Sequence, residues 1–177
     1  MNGYYLTTLR ISIEDTQERA LLVYIATTKP NASEIIDRVR QYCRKRALPE
    51  RIITIAPQTE ADALNSIVHD AAFISEIPTI TRYQDTPPVT ALYFDVSGSI
   101  IGRSAAFCKD LRRQGLTTLF KDGKGLLSTA GNFHYTLPND KHCEQFIRTS
   151  NVLTDGDAIL FTAFCCLSYM PDCPGSA

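Results

Sequence analysis

No stretch of this sequence approaches the ~18 consecutive apolar residues that mark a membrane-spanning helix, so no membrane partner is expected. The opening residues, MNGYYLTTLRISIED, lack a basic segment followed by an apolar one, and no secretory signal is predicted from them. The formal net charge is −1, from 18 Lys and Arg against 19 Asp and Glu, so nucleic acid is not indicated as a partner. The 6 cysteines form no C-x-x-C pair and the 3 histidines are not at ligand spacing to them, which argues against a zinc site. Free thiols in a reducing, cytoplasmic setting are the expectation. The spacings G-x-x-x-x-G-K-[ST] and G-x-G-x-x-G are both missing, which leaves a P-loop and a dinucleotide-binding site unsupported. Internal repeats and low-complexity linkers are missing too.

What is present is an ordinary globular balance, 44% hydrophobic and 21% charged over 177 residues, enough for one domain or one and a half small ones. Tyr4–Ile13 alternates imperfectly and suits a strand, and after a polar turn at Glu14–Glu18 the continuous apolar run Ala20–Thr27 suits a central one. Asn31 or Ser33 is placed to cap a helix through Arg46, with Ile35, Ile36, Val39 and Tyr42–Cys43 on its inner face. Arg38, Arg40, Arg44, Lys45 and Arg46 crowd its other side, as a solvated face or a phosphate-binding patch. Ile52–Ala56 reads as a short buried strand. Thr59 is placed to cap a helix over residues 60–75 that turns Ala63, Ile67, Ala71 and Ile74 inward. Pro78–Tyr83 and Val89–Val96 are predicted strands, separated by a double-proline loop. Ile101–Gln114 is predicted helical, burying Ile101, Ala105, Cys108 and Leu111 and ending at Gly115. Asp122-Gly123 is a hairpin signal between Leu116–Lys121 and Gly125–Ala130.

Strands alternating with helices predict an α/β fold, a two-layer or three-layer sandwich with a partly parallel sheet and a C-terminal hairpin, loop and helix. Two units are expected, residues 1–123 and 124–177, which can pack as one domain; by composition the clearest seam is Asp85–Pro88, with a second near Lys124. The tail Pro171–Ala177 is expected to fray.

Ionisable groups concentrate in Gly131–Leu153, where Asp140, Lys141, His142, Cys143, Glu144 and Arg148 follow an aromatic run at Phe133–Leu137 and a turn at Pro138–Asp140. If Ile147 faces the core, strand alternation sets Phe146 and Arg148 side by side on the other face, a platform that can stack on a base and fork onto phosphate. Lys141, His142, Phe146 and Arg148 are therefore the candidate ligand-binding residues. His142 beside Cys143 does not make a catalytic pair, because adjacent residues in a strand point apart.

Gly131, Phe133 and Leu137, the polar turn, the aromatic Phe146 and a helix over Thr154–Leu167 together resemble the N-terminal part of orotate-type phosphoribosyltransferases, over residues 124–168. The resemblance implies a base-like or nucleotide-like ligand at the loop. Pro138 and Asn139-Asp140 stand where that family has Lys and Ser-Gly. The family's pyrophosphate signature, paired acids closing a strand before a Thr/Gly-rich loop, does not occur before Ala177, so binding without transfer by this chain alone is expected.

A second motif, Asp95-Val96-Ser97-Gly98-Ser99, closes the apolar run at Val89–Val96. It is similar to the metal-ion-dependent adhesion site of von Willebrand factor A domains. That likeness implies Mg²⁺ held by Asp95, Ser97 and Ser99 in a non-enzymatic protein-binding module. Thr154-Asp155-Gly156 is like that family's later Thr-Asp-Gly step, although the chain between them is shorter than the family's. The competing reading is a tight strand-to-helix turn with a serine hydroxyl as the helix cap. The same loop can also cradle an anion at a helix N-terminus. An assembly subunit, docking a partner protein or a second copy of this chain, completes the range of functions considered.

Overall fold

The computed structural model describes residues 3–13, 16–82, 89–128, 134–136, 139–143 and 145–167. Strands β1 (Tyr4–Ile13), β2 (Thr16–Ile25), β3 (Arg51–Pro57) and β4 (Val89–Phe94) form a four-stranded sheet in the order β1-β2-β3-β4. β1 runs antiparallel to β2, from Tyr4 opposite Ile25 to Ile13 opposite Thr16, whereas β2, β3 and β4 are parallel. The parallel pairs are joined by α1 (Ala32–Cys43) and by α2 (Ala61–Val68) with α3 (Ala71–Ile80). The sheet is therefore partly parallel, as expected.

Alternation along β2 decides the layering. Leu21, Val23 and Ile25 join Ile35 and Val39 of α1 and Phe73 and Ile77 of α3 in one core. Ala20, Leu22 and Tyr24 join Leu111 and Leu119 of α4 (Ala105–Asp122) and Phe161 and Phe164 of α5 (Gly156–Leu167) in the other. The molecule is thus a three-layer α/β/α sandwich whose central strand is buried on both faces, which accounts for the unbroken apolar run at 20–25. Val152, Ala158, Phe161, Phe164 and Cys165, all beyond Lys124, lie in the same cluster as Leu22, Ile55 and Phe94. Among the described residues no helix is long and apolar enough to cross a membrane.

Several expected boundaries move. Asn31 is the α1 cap, its Oδ1 accepting from the N–H groups of Ser33 (2.9 Å) and Glu34 (3.4 Å). The single helix expected over 60–75 is broken: α2 ends at Val68, and Asp70 caps a new helix through Ala72 (2.8 Å) and Phe73 (3.1 Å). The inward stripe is Leu64, Ile67, Phe73, Ile77 and Ile80, while Ile74 is 41% exposed. The stripe continues through Pro78, which lies inside α3, so the strand expected from 78 is helix as far as Ile80. Helical spacing of Phe73, Ile77 and Ile80 outweighs the one backbone bond that proline removes. Tyr83 and the seam at Asp85–Pro88 lie outside the described residues, as does the tail.

α4 begins at Ala105, with the Ser104 hydroxyl accepting from Phe107 N–H at 3.2 Å, and continues past Gly115 to Asp122. Gly115 does not terminate it. A Cβ there would stand 2.6 Å from Cζ of the fully buried Phe161, so glycine is what lets α4 and α5 approach. The strand expected over Leu116–Lys121 is the last part of this helix, Leu119 lying one turn on from Gly115 on the buried stripe. The anticipated hairpin at Asp122-Gly123 is its C-terminus. Ile101, expected buried, is 46% exposed.

α4 also closes the open edge of the sheet. The Gln114 side chain accepts from Arg10 N–H (2.8 Å) and donates to Arg10 C=O (2.6 Å), and the Thr118 hydroxyl donates to Thr8 C=O (3.2 Å). These side chains occupy backbone groups of β1 that a foreign strand would otherwise pair with. Gln114→Ala should lower the unfolding free energy by about 1–2 kcal/mol and raise self-association, measured by urea denaturation and light scattering. An unchanged midpoint with unchanged scattering would mean that water replaces the amide without loss.

Candidate functional site

In an open α/β sheet, ligands collect outside the carboxyl ends of the strands, where successive connections leave for opposite faces. β3 feeds α2 on one face, and β4 feeds α4 on the other. Between those two exits lies a crevice of about 290 Å³. Pro57, Gln58 and Thr59 line it from the end of β3, Phe94, Asp95 and Val96 from the end of β4, and Leu167 from the end of α5. Its walls are mostly apolar, and Val96 is fully exposed at the rim.

The β4 side of the crevice is the Asp95–Ser99 motif, and the structure brings its three oxygen-bearing side chains together. Gly98 N–H donates to Asp95 C=O at 2.9 Å, and Asp95 N–H donates to Ser99 C=O at 3.1 Å. Phe94 bridges Ile100 in antiparallel fashion. With Gly98 at φ +80°, this is a three-residue hairpin loop with a glycine bulge. Asp95 Oδ1 accepts from Ser97 N–H (2.9 Å), the Ser97 hydroxyl (2.6 Å) and Ser99 N–H (3.0 Å), and the two serine hydroxyls are 2.9 Å apart. Bonds from Ser97, first its hydroxyl, and from Ser99 hold the Asp95 carboxyl below the usual carboxylate range, so it is ionised. Oδ1 is thereby committed to the turn, and none of these three bonds uses Oδ2. The turn expected at this motif is present, but its serines do not cap the following helix; Ser104 does.

On the other side of the same hairpin is a cleft of about 400 Å³ lined by Ser99, Ile100, Arg103, Ala105, Cys108, Lys109 and Arg112. Arg112 is 4% exposed; one of its terminal nitrogens donates to Gly98 C=O, and its guanidinium lies 5.0 Å from the Phe164 ring centroid. Among the described residues its Nε has no hydrogen-bond partner. Burial pushes the neighbouring Cys165 thiol up to about 12, well out of the thiolate range.

The expected loop residues fall elsewhere. β6 (Tyr135–Thr136) pairs with β7 (His142–Cys143), and β5 (Leu126–Ser128) pairs with β8 (Gln145–Ile147). The hairpin reverses through Asn139 and Asp140, the latter at φ 59°. Gly131, Phe133, Leu137, Pro138 and Glu144 lie outside the described residues. Lys141, His142 and Arg148 are exposed and line neither cleft described above. Ile147 is 55% exposed, so the core-facing Ile147 on which the pairing of Phe146 with Arg148 was premised does not hold. Phe146 packs against Tyr135 instead, with centroids 5.9 Å apart. β8 pairs only with β5 in a separate two-stranded ladder, and with Phe146 and Ile147 both exposed burial does not fix which of its faces turns inward.

The basic face of α1 is largely compensated: Arg38 lies 3.9 Å from Glu34, Arg40 pairs with Glu76, and Arg46 lies 3.5 Å from Asp122 and stacks over Tyr42. Among the described residues no group of three or more His, Cys, Asp and Glu side chains is arranged to hold a metal. No protein-family model matches this chain, and no curated protein or solved structure matches it either.

Proposed function

We propose that this chain binds a small nucleoside-like or base-like ligand in the crevice at the carboxyl ends of β3 and β4. The observation that carries the proposal is the reversal of connections at that point: α2 and α4 leave for opposite faces and hold apart an apolar slot with an ionised carboxylate at its rim. Phe94, Pro57 and Leu167 suit a flat ring. Asp95 Oδ2 suits a hydroxyl or amino donor on that ring or its sugar, through a charge-assisted hydrogen bond. The phosphoribosyltransferase-like resemblance supplies the same ligand class, and the crevice receives it better than the exposed loop at Lys141, His142, Phe146 and Arg148.

A magnesium-dependent protein-binding module is a second reading, favoured by the convergence of Asp95, Ser97 and Ser99. Only one carboxylate serves that cluster, and three hydrogen bonds already occupy its Oδ1. The donor set therefore suits a ligand's hydroxyl or amino group better than a hard dication.

Titrating the chain with uncharged nucleosides and free bases, followed by amide NMR, tests the proposal. Shifts should centre on Gln58, Thr59, Asp95 and Val96, and Asp95→Asn should weaken binding by about tenfold. If no nucleoside or base perturbs those amides, or if Asp95→Asn binds equally well, the proposal fails. A melting temperature that responds to millimolar Mg²⁺ in the parent and not in Asp95→Asn would transfer the site to the metal.

A further inference from the structure

We infer that the cleft between the Asp95–Ile101 hairpin and the first turns of α4 is an anion site for a phosphate group. The inference is independent of the nucleoside proposal and uses different side chains.

Three of the residues lining this cleft, Arg103, Lys109 and Arg112, are cationic, and none of its lining residues is acidic. Arg51 pairs with Glu18 at 2.9 Å and Arg113 with Asp110 at 2.7 Å, besides the pairs on α1, whereas the cleft's cations have no such partner among the described residues. No described carboxylate forms an ion pair with Arg103, Lys109 or Arg112.

Arg112 is the anomaly. A guanidinium that is 4% exposed has lost most of its water, and a carbonyl, a ring face and an orphaned Nε–H do not neutralise it. Buried charge of this kind is ordinarily paired. An oxyanion in the cleft would supply the missing charge. Arg103 and Lys109, both exposed at the mouth, would contact the oxygens directly. The amino end of the long helix α4, one of whose first N–H groups is taken by Ser104, adds a favourable dipole at the same place. At about 400 Å³ the cleft has room for one phosphate or a pyrophosphate.

The test is titration of the full chain with inorganic phosphate and with pyrophosphate, against sodium chloride of matched ionic strength, read by amide NMR and melting temperature. Phosphate or pyrophosphate should produce saturable shifts at Ser99–Lys109 and raise the melting temperature, and chloride should do neither. The double variant Arg103→Gln/Lys109→Gln changes two exposed side chains and should melt like the parent without anion, yet bind at least about tenfold more weakly. Equal responses to chloride and phosphate, or equal phosphate affinity in the double variant, would overturn the inference. An anion arriving as part of a nucleotide would add shifts at Gln58 and Thr59, whereas a free anion would leave them still.

Discussion

Phe161→Ala should lower the unfolding free energy by about 3–5 kcal/mol, the usual loss when a large aromatic leaves a closed core. The ring is fully buried between layers: it stacks on Tyr5 with centroids at 4.7 Å and meets Tyr24 edge-on at 5.6 Å. Its tip also fills the notch at Gly115, so the two positions should couple. In the parent chain Gly115→Ala gains ~1 kcal/mol of helix propensity but forces a methyl against Phe161, at an overpacking cost of ~1–3 kcal/mol. The net effect should be destabilising. In the Phe161→Ala background that contact is gone, and Gly115→Ala should become stabilising. Urea denaturation of the four chains of this cycle gives the answer. The same effect of Gly115→Ala in both backgrounds would show that Phe161 is not what excludes a side chain from α4.

Gly98→Ala should destabilise by about 2–4 kcal/mol, combining the left-handed backbone penalty with a steric one. Gly98 has φ +80°, and an added Cβ would lie 2.7 Å from Cβ of Leu167 and 3.1 Å from a terminal nitrogen of Arg112. Neither neighbour yields easily, since Leu167 Cβ is tied to the α5 backbone and Arg112 bonds the Gly98 carbonyl. Gly102 is the matched control: its φ is +71°, but nothing lies within 4 Å of its would-be Cβ. Gly102→Ala should therefore incur the backbone penalty alone, ~1–2 kcal/mol. Equal losses for the two variants in thermal and urea unfolding would remove the contact with Leu167 from the account.

The strands of the main sheet were the most legible part of the sequence because central strands declare themselves by apolar runs: 20–25 is unbroken, and 52–56 and 89–94 are each interrupted by a single threonine. The helices were less so, because the punctuation misleads where tertiary contacts overrule it. Gly115 looks like a helix end, but its lack of a side chain serves a helix–helix contact; Pro78 looks like a break, but Phe73, Ile77 and Ile80 hold the turn. Asp95, Ser97 and Ser99 could be recognised as a unit because one short loop carries all of them. An anion at this loop was anticipated from the helix N-terminus, but the buried cation beside it was missed, although a signal existed. Arg112 falls on the stripe Cys108, Leu111, Arg112, Gly115, Leu119, so a charged residue sits where helical spacing demands an apolar one. The slot between β3 and β4 was out of reach, since it depends on which face each helix takes.

The placement of α5 has a consequence for how the protein is made. Its first turn is tied to the opposite end of the chain, Asp157 Oδ1 accepting from Gly3 N–H at 2.9 Å, and Phe161 and Phe164 complete the core under β1, β2 and β4. Synthesis proceeds from β1 onward, so the sheet and the first four helices emerge before the segment that covers one of its faces. Until residues 156–167 leave the ribosome, Tyr5, Tyr24 and Phe94 have no aromatic lid. The nascent chain therefore carries an adhesive apolar surface until α5 emerges. Emergence of α5, rather than formation of the sheet, is the moment at which this core closes.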